Sequence, residues 1–281
     1  MSEVRLGQVE YINCIPVYHA LEEGLLVGDI ELVKGPPSKL NKMFLDGELD
    51  ITPISSIEYA RHANQCIILP NLSISADGRV ESILFFSQLP PTELEGKTIA
   101  VTTSSATSVV LLRILFEHFY HVDVEMISVA PDLDAMLAAA DGALLIGDDA
   151  MQAHQQVLKD HRELIVTDLG EAWKEFTGHK MVYAVWVTHA ALGQTAPHVI
   201  DQAASLLYEA KQIGLSQREA LLEKSQRRSG LPFEVVDHYL DTIHHELGEA
   251  EQKALLTFYD YAYKSGIIEE RVKLNIWGLV D

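Results

Sequence analysis

The chemistry-bearing residues of this 281-residue chain gather at four places where a β-rich run gives way to a helical pattern. Tyr11-Ile12-Asn13 follows the first strand pattern, and Pro53-Ile54-Ser55-Ser56 follows the third. Thr102-Thr103-Ser104-Ser105-Ala106-Thr107 and Gly147-Asp148-Asp149-Ala150 follow strand patterns in the second part of the chain. In open α/β sheets such junctions lie at the carboxyl edges of strands, where ligands bind. A helix start offers unpaired N–H groups and a partial positive charge, which suits a carboxylate. One hydroxyl is enough to cap a helix. From Thr102 to Ser108 every residue except Ala106 carries one. That run, with Ser55 and Ser56, predicts an oxyanion site. Asp148 and Asp149 read either as first-turn acids that complement the helix dipole or as carboxylates of the site.

The overall charge explains why the attraction has to be local. With 41 acidic against 21 basic side chains the formal net charge is −20, so polyphosphates and anionic membranes are repelled at long range. Neither nucleic acid nor membrane is expected as a partner. Backbone N–H groups and hydroxyls can still hold an anion. His118 and His121 lie three apart, and His244-His245 is adjacent, but no third ligand is placed by sequence, so no metal is expected. The chain lacks the glycine patterns of nucleotide sites and the Gly-x-Ser-x-Gly of hydrolases. Cys14 and Cys66 read as two thiols in a reducing cytosol. The N-terminal residues pass straight into a strand pattern, and no apolar run approaches a membrane span, so a cytoplasmic location is expected.

Short strands alternate with helices, the α/β signature. Strand patterns fall at 4–9, 30–33, 50–54, 67–74 and 80–87, with helices over 16–25 and 39–45 and a third from Ser55 or Ser56. After Leu89-Pro90-Pro91 a second round begins: strands at 98–102, 124–129, 143–146, 164–166 and 182–188, with helices at 105–119, 132–140 and from about Asp148. Trp173, Phe176, Tyr183 and Trp186 read as core, or as the wall of an apolar pocket. Helices then follow at 196–213, 216–228, 232–246 and 249–265. The economical arrangement is two lobes joined by two crossings, near 85–90 and 185–190, with the helical tail returning to the first lobe. Residues 1–87 plus 189–281 form the first lobe, and 88–188 form the second.

Several ordered blocks resemble the chorismate dehydratases of menaquinone biosynthesis. They are Leu6-Gly7-x-x-x-Tyr11-Ile12-Asn13-x-x-Pro16, Gly35-x-Pro37-x-x-Leu40-Asn41, Asp50-x-x-Pro53-Ile54-Ser55-Ser56-x-Glu58-Tyr59 and Ser82-Ile83-Leu84-Phe85-Phe86-Ser87. Ser104-x-Ala106-Thr107-Ser108, Leu145-Ile146-Gly147-Asp148-x-Ala150, Asp168-Leu169-Gly170 and the stretch from Trp173 to Trp186 continue the likeness. Gly178-His179-Lys180-Met181 departs from the Leu-Pro-Phe-like run of relatives. The resemblance implies a two-lobed type II periplasmic-binding-protein-like fold and chorismate, a dicarboxylate, as substrate, with no cofactor.

By the same resemblance, loss of the C4 hydroxyl and C3 proton would give 3-[(1-carboxyvinyl)oxy]benzoate. Ser55, Ser56, Ser82, Ser104, Ser105, Ala106, Thr107 and Gly147 would hold the diacid, and Asn13 would place the ring or its leaving hydroxyl. The base would be the substrate's enolpyruvyl carboxylate or Asp148. Three other readings stand beside this one: a binding protein for a small carboxylate, the sibling dihydroxynaphthoate synthase, and the effector domain of a regulator. The Tyr11-Ile12-Asn13 block favours the dehydratase over the sibling.

Overall fold

The computed structural model describes residues 4–279. Apolar residues on alternate or successive positions set the strands, which form two five-stranded sheets. Val4–Val9 (β1), Ile30–Gly35 (β2), Ile51–Ser55 (β3) and Cys66–Ala76 (β4) belong to the first. Ile83–Ser87 (β5), Thr98–Thr102 (β6), Glu125–Val129 (β7), Gly142–Ile146 (β8) and Ile165–Asp168 (β9) make the second, in the order β7-β6-β8-β5-β9. Met181–His189 (β10) returns to the first sheet, whose order is β2-β1-β3-β10-β4. β1 runs parallel to β2, from Val4 opposite Ile30 to Val9 opposite Gly35, so both carboxyl edges face the same way. Ile15–Glu22 (α1), Pro37–Leu45 (α2) and Ser56–Arg61 (α3) follow the first three strands. Ala106–Leu115 (α4), Leu133–Ala139 (α5), Gly147–Lys159 (α6) and Leu169–Thr177 (α7) follow β6, β7, β8 and β9. Ala190–Thr195 (α8), Pro197–Ser216 (α9), Arg218–Ser229 (α10), Phe233–Thr242 (α11) and Glu249–Lys264 (α12) make the tail.

A division at 87/88 and 188/189 assigns β5 to the first lobe and β10 to the second; the ladders place them the other way round. β5 lies antiparallel between β8 and β9, and β10 lies antiparallel between β3 and β4. The proline-rich link is a turn inside the second lobe, with Pro91–Glu93 in a 3-10 turn. The first crossing is instead residues 77–82, where Gly78 and Glu81 have φ of 98° and 62°. The Asp168 carboxylate fixes this bend by accepting from the N–H groups of Val80 and Glu81, while also capping α7 through Gly170 and Glu171. A Cβ on Gly170 would come within 2.3 Å of the Gly78 carbonyl oxygen, so glycine lets the crossing lie directly over the start of α7.

The tail meets both lobes, beyond the expected return to the first. α9 lies on α1 so closely that a Cβ on Gly214 would be 2.0 Å from the Pro16 carbonyl oxygen. α12 sets Phe258 edge-on to Trp173 of α7, with ring centres 5.9 Å apart. Trp173 and Trp186 are fully buried, and the Trp186 ring N–H donates to the Tyr18 hydroxyl at 3.0 Å. The helix expected over 232–246 stops at Thr242. His244 and His245 instead bond the edge strand: His244 exchanges backbone bonds with Ser75, and Ser73 donates to the His245 carbonyl. The free edge of β4 offers these groups partners, and that pairing overrides the local helical pattern.

Candidate active site

Between the lobes lies a narrow cleft of about 80 Å³. β1, β3 and β8 all end on it, so its walls are strand ends and helix starts of both lobes. The first lobe contributes Tyr11, Asn13 and Ser55, the end of the crossing contributes Ser82, and the second lobe contributes Ser105, Ser108 and Gly147. Apolar atoms of Val9, Ile54, Ile74, Val80 and Ile146 complete the lining, with Tyr183 on the wall. A polar rim around an apolar pocket is the usual form of a small-molecule site.

Asn13, Ser55, Ser82, Ser105 and Gly147 therefore converge. The Asn13 amide oxygen is buried without a hydrogen-bond partner. A desolvated polar atom of this kind is costly unless something satisfies it, which marks a place for a ligand group. Ser55 receives a 3.4 Å bond from the Asn41 amide. Ser105 caps α4 by accepting from the Ser108 N–H at 3.1 Å, and its own hydroxyl donates to Ser108 Oγ at 3.0 Å. Gly147 opens α6 at φ 61°, and a Cβ there would lie 3.0 Å from the Tyr11 ring. The ring of one lobe thus rests on bare backbone of the other.

Other sequence-predicted residues lie behind the wall. Ser56 Oγ is 3.4 Å from Thr107 Oγ1, and the Ile57 N–H donates to that same Thr107 oxygen at 3.2 Å. These two hydroxyl residues fasten α3 to α4 across the lobes, with Ser56 fully buried. Ser104 stands near the Tyr11 hydroxyl, a further approach between the lobes. Ala106 packs against the main core. Asp148 turns away from the lining and accepts from the Ile12 N–H at 3.2 Å. Burial pushes its carboxyl up to about 6, against the pull of that N–H, and Asp149 pushes it further.

Two functional candidates escaped sequence reasoning. Tyr239 of α11 is buried and donates to Ser82 Oγ at 2.8 Å. His245 Nε2 lies 2.7 Å from the Asn13 carbonyl oxygen. Burial lowers this imidazole to about 4, so it is neutral at pH 7 and its Nε2–H donates. The His244-His245 doublet was the available signal, and it pointed to metal chemistry rather than to a loop support. His118 bonds the Ser265 hydroxyl, away from the cleft. A compact anion bearing a ring fits what the cleft can do: accept hydrogen bonds from hydroxyls and helix starts while its apolar atoms meet Val9, Ile54 and Ile146.

Comparison with known proteins agrees with this architecture. A protein of Archaeoglobus fulgidus of known structure aligns with a TM-score of 0.80 at 20% identity, covering 94% of this chain and 98% of that one. The periplasmic aliphatic sulphonate-binding protein of Escherichia coli aligns at 0.70 and 15% identity, covering 100% and 94%. The fold is two-lobed and periplasmic-binding-protein-like. The chorismate dehydratase of Thermus thermophilus is 30% identical over 271 residues, covering 90% of this chain and 93% of its own. That of Campylobacter jejuni is 29% identical over 260 residues, covering 90% and 94%. A family model for menaquinone biosynthesis matches residues 4–264, from the first strand to the last tail helix. The chain belongs to the menaquinone biosynthesis family.

Proposed function

We propose that the protein dehydrates chorismate to 3-[(1-carboxyvinyl)oxy]benzoate, as a hydro-lyase of menaquinone biosynthesis. The observation that carries the reading is the unpartnered amide oxygen of Asn13, facing hydroxyls of the opposite lobe across an apolar cleft. Asn13 holds the reacting ring or its leaving hydroxyl. Ser55, Ser82, Ser105 and the start of α6 at Gly147 hold the two carboxylates. Ser56, Ser104 and Thr107 act one step back, by joining the lobes around the substrate.

Among the described residues lining the cleft there is no histidine, aspartate or glutamate. Asp148 is engaged with the Ile12 N–H, which orients the loop leading to Asn13. This supports the substrate's enolpyruvyl carboxylate as the base that takes the C3 proton; the C3–H electron pair forms the new ring double bond as the C4–O bond breaks, and the hydroxide leaves with its own pair and takes up the proton as water. Holding an internal base in line can contribute about 7–11 kcal/mol. Cys14 and Cys66 are free and buried, which fits a reducing cytoplasm, and no helix among the described residues is long and apolar enough to cross a membrane.

The test is to incubate the protein with chorismate and follow mass and absorbance. Loss of one water and a new benzoate-type absorbance are expected. Asn13→Ala keeps the fold and lowers turnover about 100-fold or more. Chorismate bound but unchanged by the folded wild-type protein points instead to a carboxylate-binding protein.

A further inference from the structure

The tail reaches the cleft through Tyr239, a side chain to which the reaction above assigns no part. It is 1% exposed, yet its hydroxyl donates to Ser82 Oγ at 2.8 Å. The Asn13 side chain stands near the same hydroxyl. The Asn13 amide oxygen is buried and left without a partner. A serine hydroxyl has one proton to give. With Tyr239 filling an acceptor position on Ser82, the Ser82 proton is free to turn toward the cleft that this residue lines. The hydrogen bond therefore runs in one direction, from Tyr239 to Ser82. His245 anchors the same assembly by donating to the Asn13 carbonyl.

We infer that Tyr239 is a positioning residue that sets the proton order at Ser82, making that hydroxyl a dedicated hydrogen-bond donor toward the substrate, in the same cleft as the unpartnered Asn13 oxygen. The inference rests on the dehydratase reading and adds a role for the helical tail in it. Without the phenol, Ser82 loses the donor that orients it, and its own proton is no longer reserved for the cleft. The effect falls on the organisation of the reacting complex more than on the initial capture of the diacid.

The experiment is a double-mutant cycle on Tyr239→Phe and Ser82→Ala, read as kcat and KM with chorismate. Tyr239→Phe keeps the ring and is expected to lower kcat roughly 10- to 100-fold with KM changed less than about threefold. The double variant is expected to be no worse than Ser82→Ala alone, because the two hydroxyls act as one unit. His245→Gln, which retains a donor, is expected to keep more activity than His245→Leu. Unchanged kcat in Tyr239→Phe, or losses that simply add, overturns the inference. If wild-type protein leaves chorismate intact, the dehydratase reading fails by itself. The same cycle is then read as calorimetric affinity for 3-[(1-carboxyvinyl)oxy]benzoate, where coupled losses support the proton order and independent ones refute it.

Discussion

Asp148 shows how one carboxyl can report on the closed cleft. Its folded-state value, about 6, lies above the ordinary 3.8 because burial disfavours the charge. The fold therefore prefers the protonated acid. Its contribution to stability is fully present below pH 3.8 and is lost as pH rises through about 6. Asp148→Asn keeps an acceptor for the Ile12 N–H without the charge. The stability gap between this variant and the wild type is expected to widen from pH 4 to pH 6.5, reaching about 3 kcal/mol. Thermal melts across that range check it, and a gap independent of pH would refute the assignment. At this scale the sequence was partly legible. Asn13, Ser55, Ser105 and Gly147 sit at strand-to-helix junctions, and Ser82 stands in a matching block; all five line the cleft. Ser56 and Thr107 belong to the same hydroxyl-rich junctions, yet each bonds across the lobes behind the wall. Which side a hydroxyl faces depends on the angle of the following helix, and residue type does not carry that. Tyr239 was illegible for another reason: it stands far from Asn13 and Ser82 in sequence, and only the docking of α11 brings them together.

Elements were legible wherever their own periodicity decided them. β1, β6 and the long tail helices follow the expected patterns, because their buried faces repeat at the strand or helix period. The sequence misled where neighbours supplied the backbone partners. The helix at 232–246 yields its last residues to the edge of β4, and α7, Leu169–Thr177, lies in a stretch where no helix was expected. The first crossing was sought at the proline-rich link, whereas the bend is made by Gly78 and Glu81 and held by one carboxylate. Asp168 receives hydrogen bonds from four backbone N–H groups, and it is 4% exposed. Asp168→Ala leaves them unsatisfied in a buried place and is expected to cost about 2–4 kcal/mol. Denaturant titration measures this. A loss below about 0.5 kcal/mol would mean that the bend is held by packing alone.

The whole molecule is acidic, and its proposed substrate is an anion. A net charge of −20 repels a dianion at distance, while the cleft attracts it only at contact through dipoles and hydroxyls. Screening acts over about 10 Å at 0.1 M salt, so it weakens the long-range repulsion more than the short-range hydrogen bonds. Chorismate kcat/KM is expected to rise severalfold between 10 and 150 mM monovalent salt, which initial rates at low substrate can show. A fall over that range would reveal a cationic approach path. The two-lobed plan was legible from the double round of strands and helices; its strand exchange was not, because an antiparallel insertion leaves no mark on local patterning. That exchange also bears on how the chain is made. β10 fills the slot between β3 and β4, so the first sheet stays incomplete until residue 189 has left the ribosome. Until then the nascent chain carries two unpaired strand edges beside a second lobe that already has all its strands. Synthesis thus imposes a waiting period in which the earlier half of the protein is the more vulnerable to mispairing.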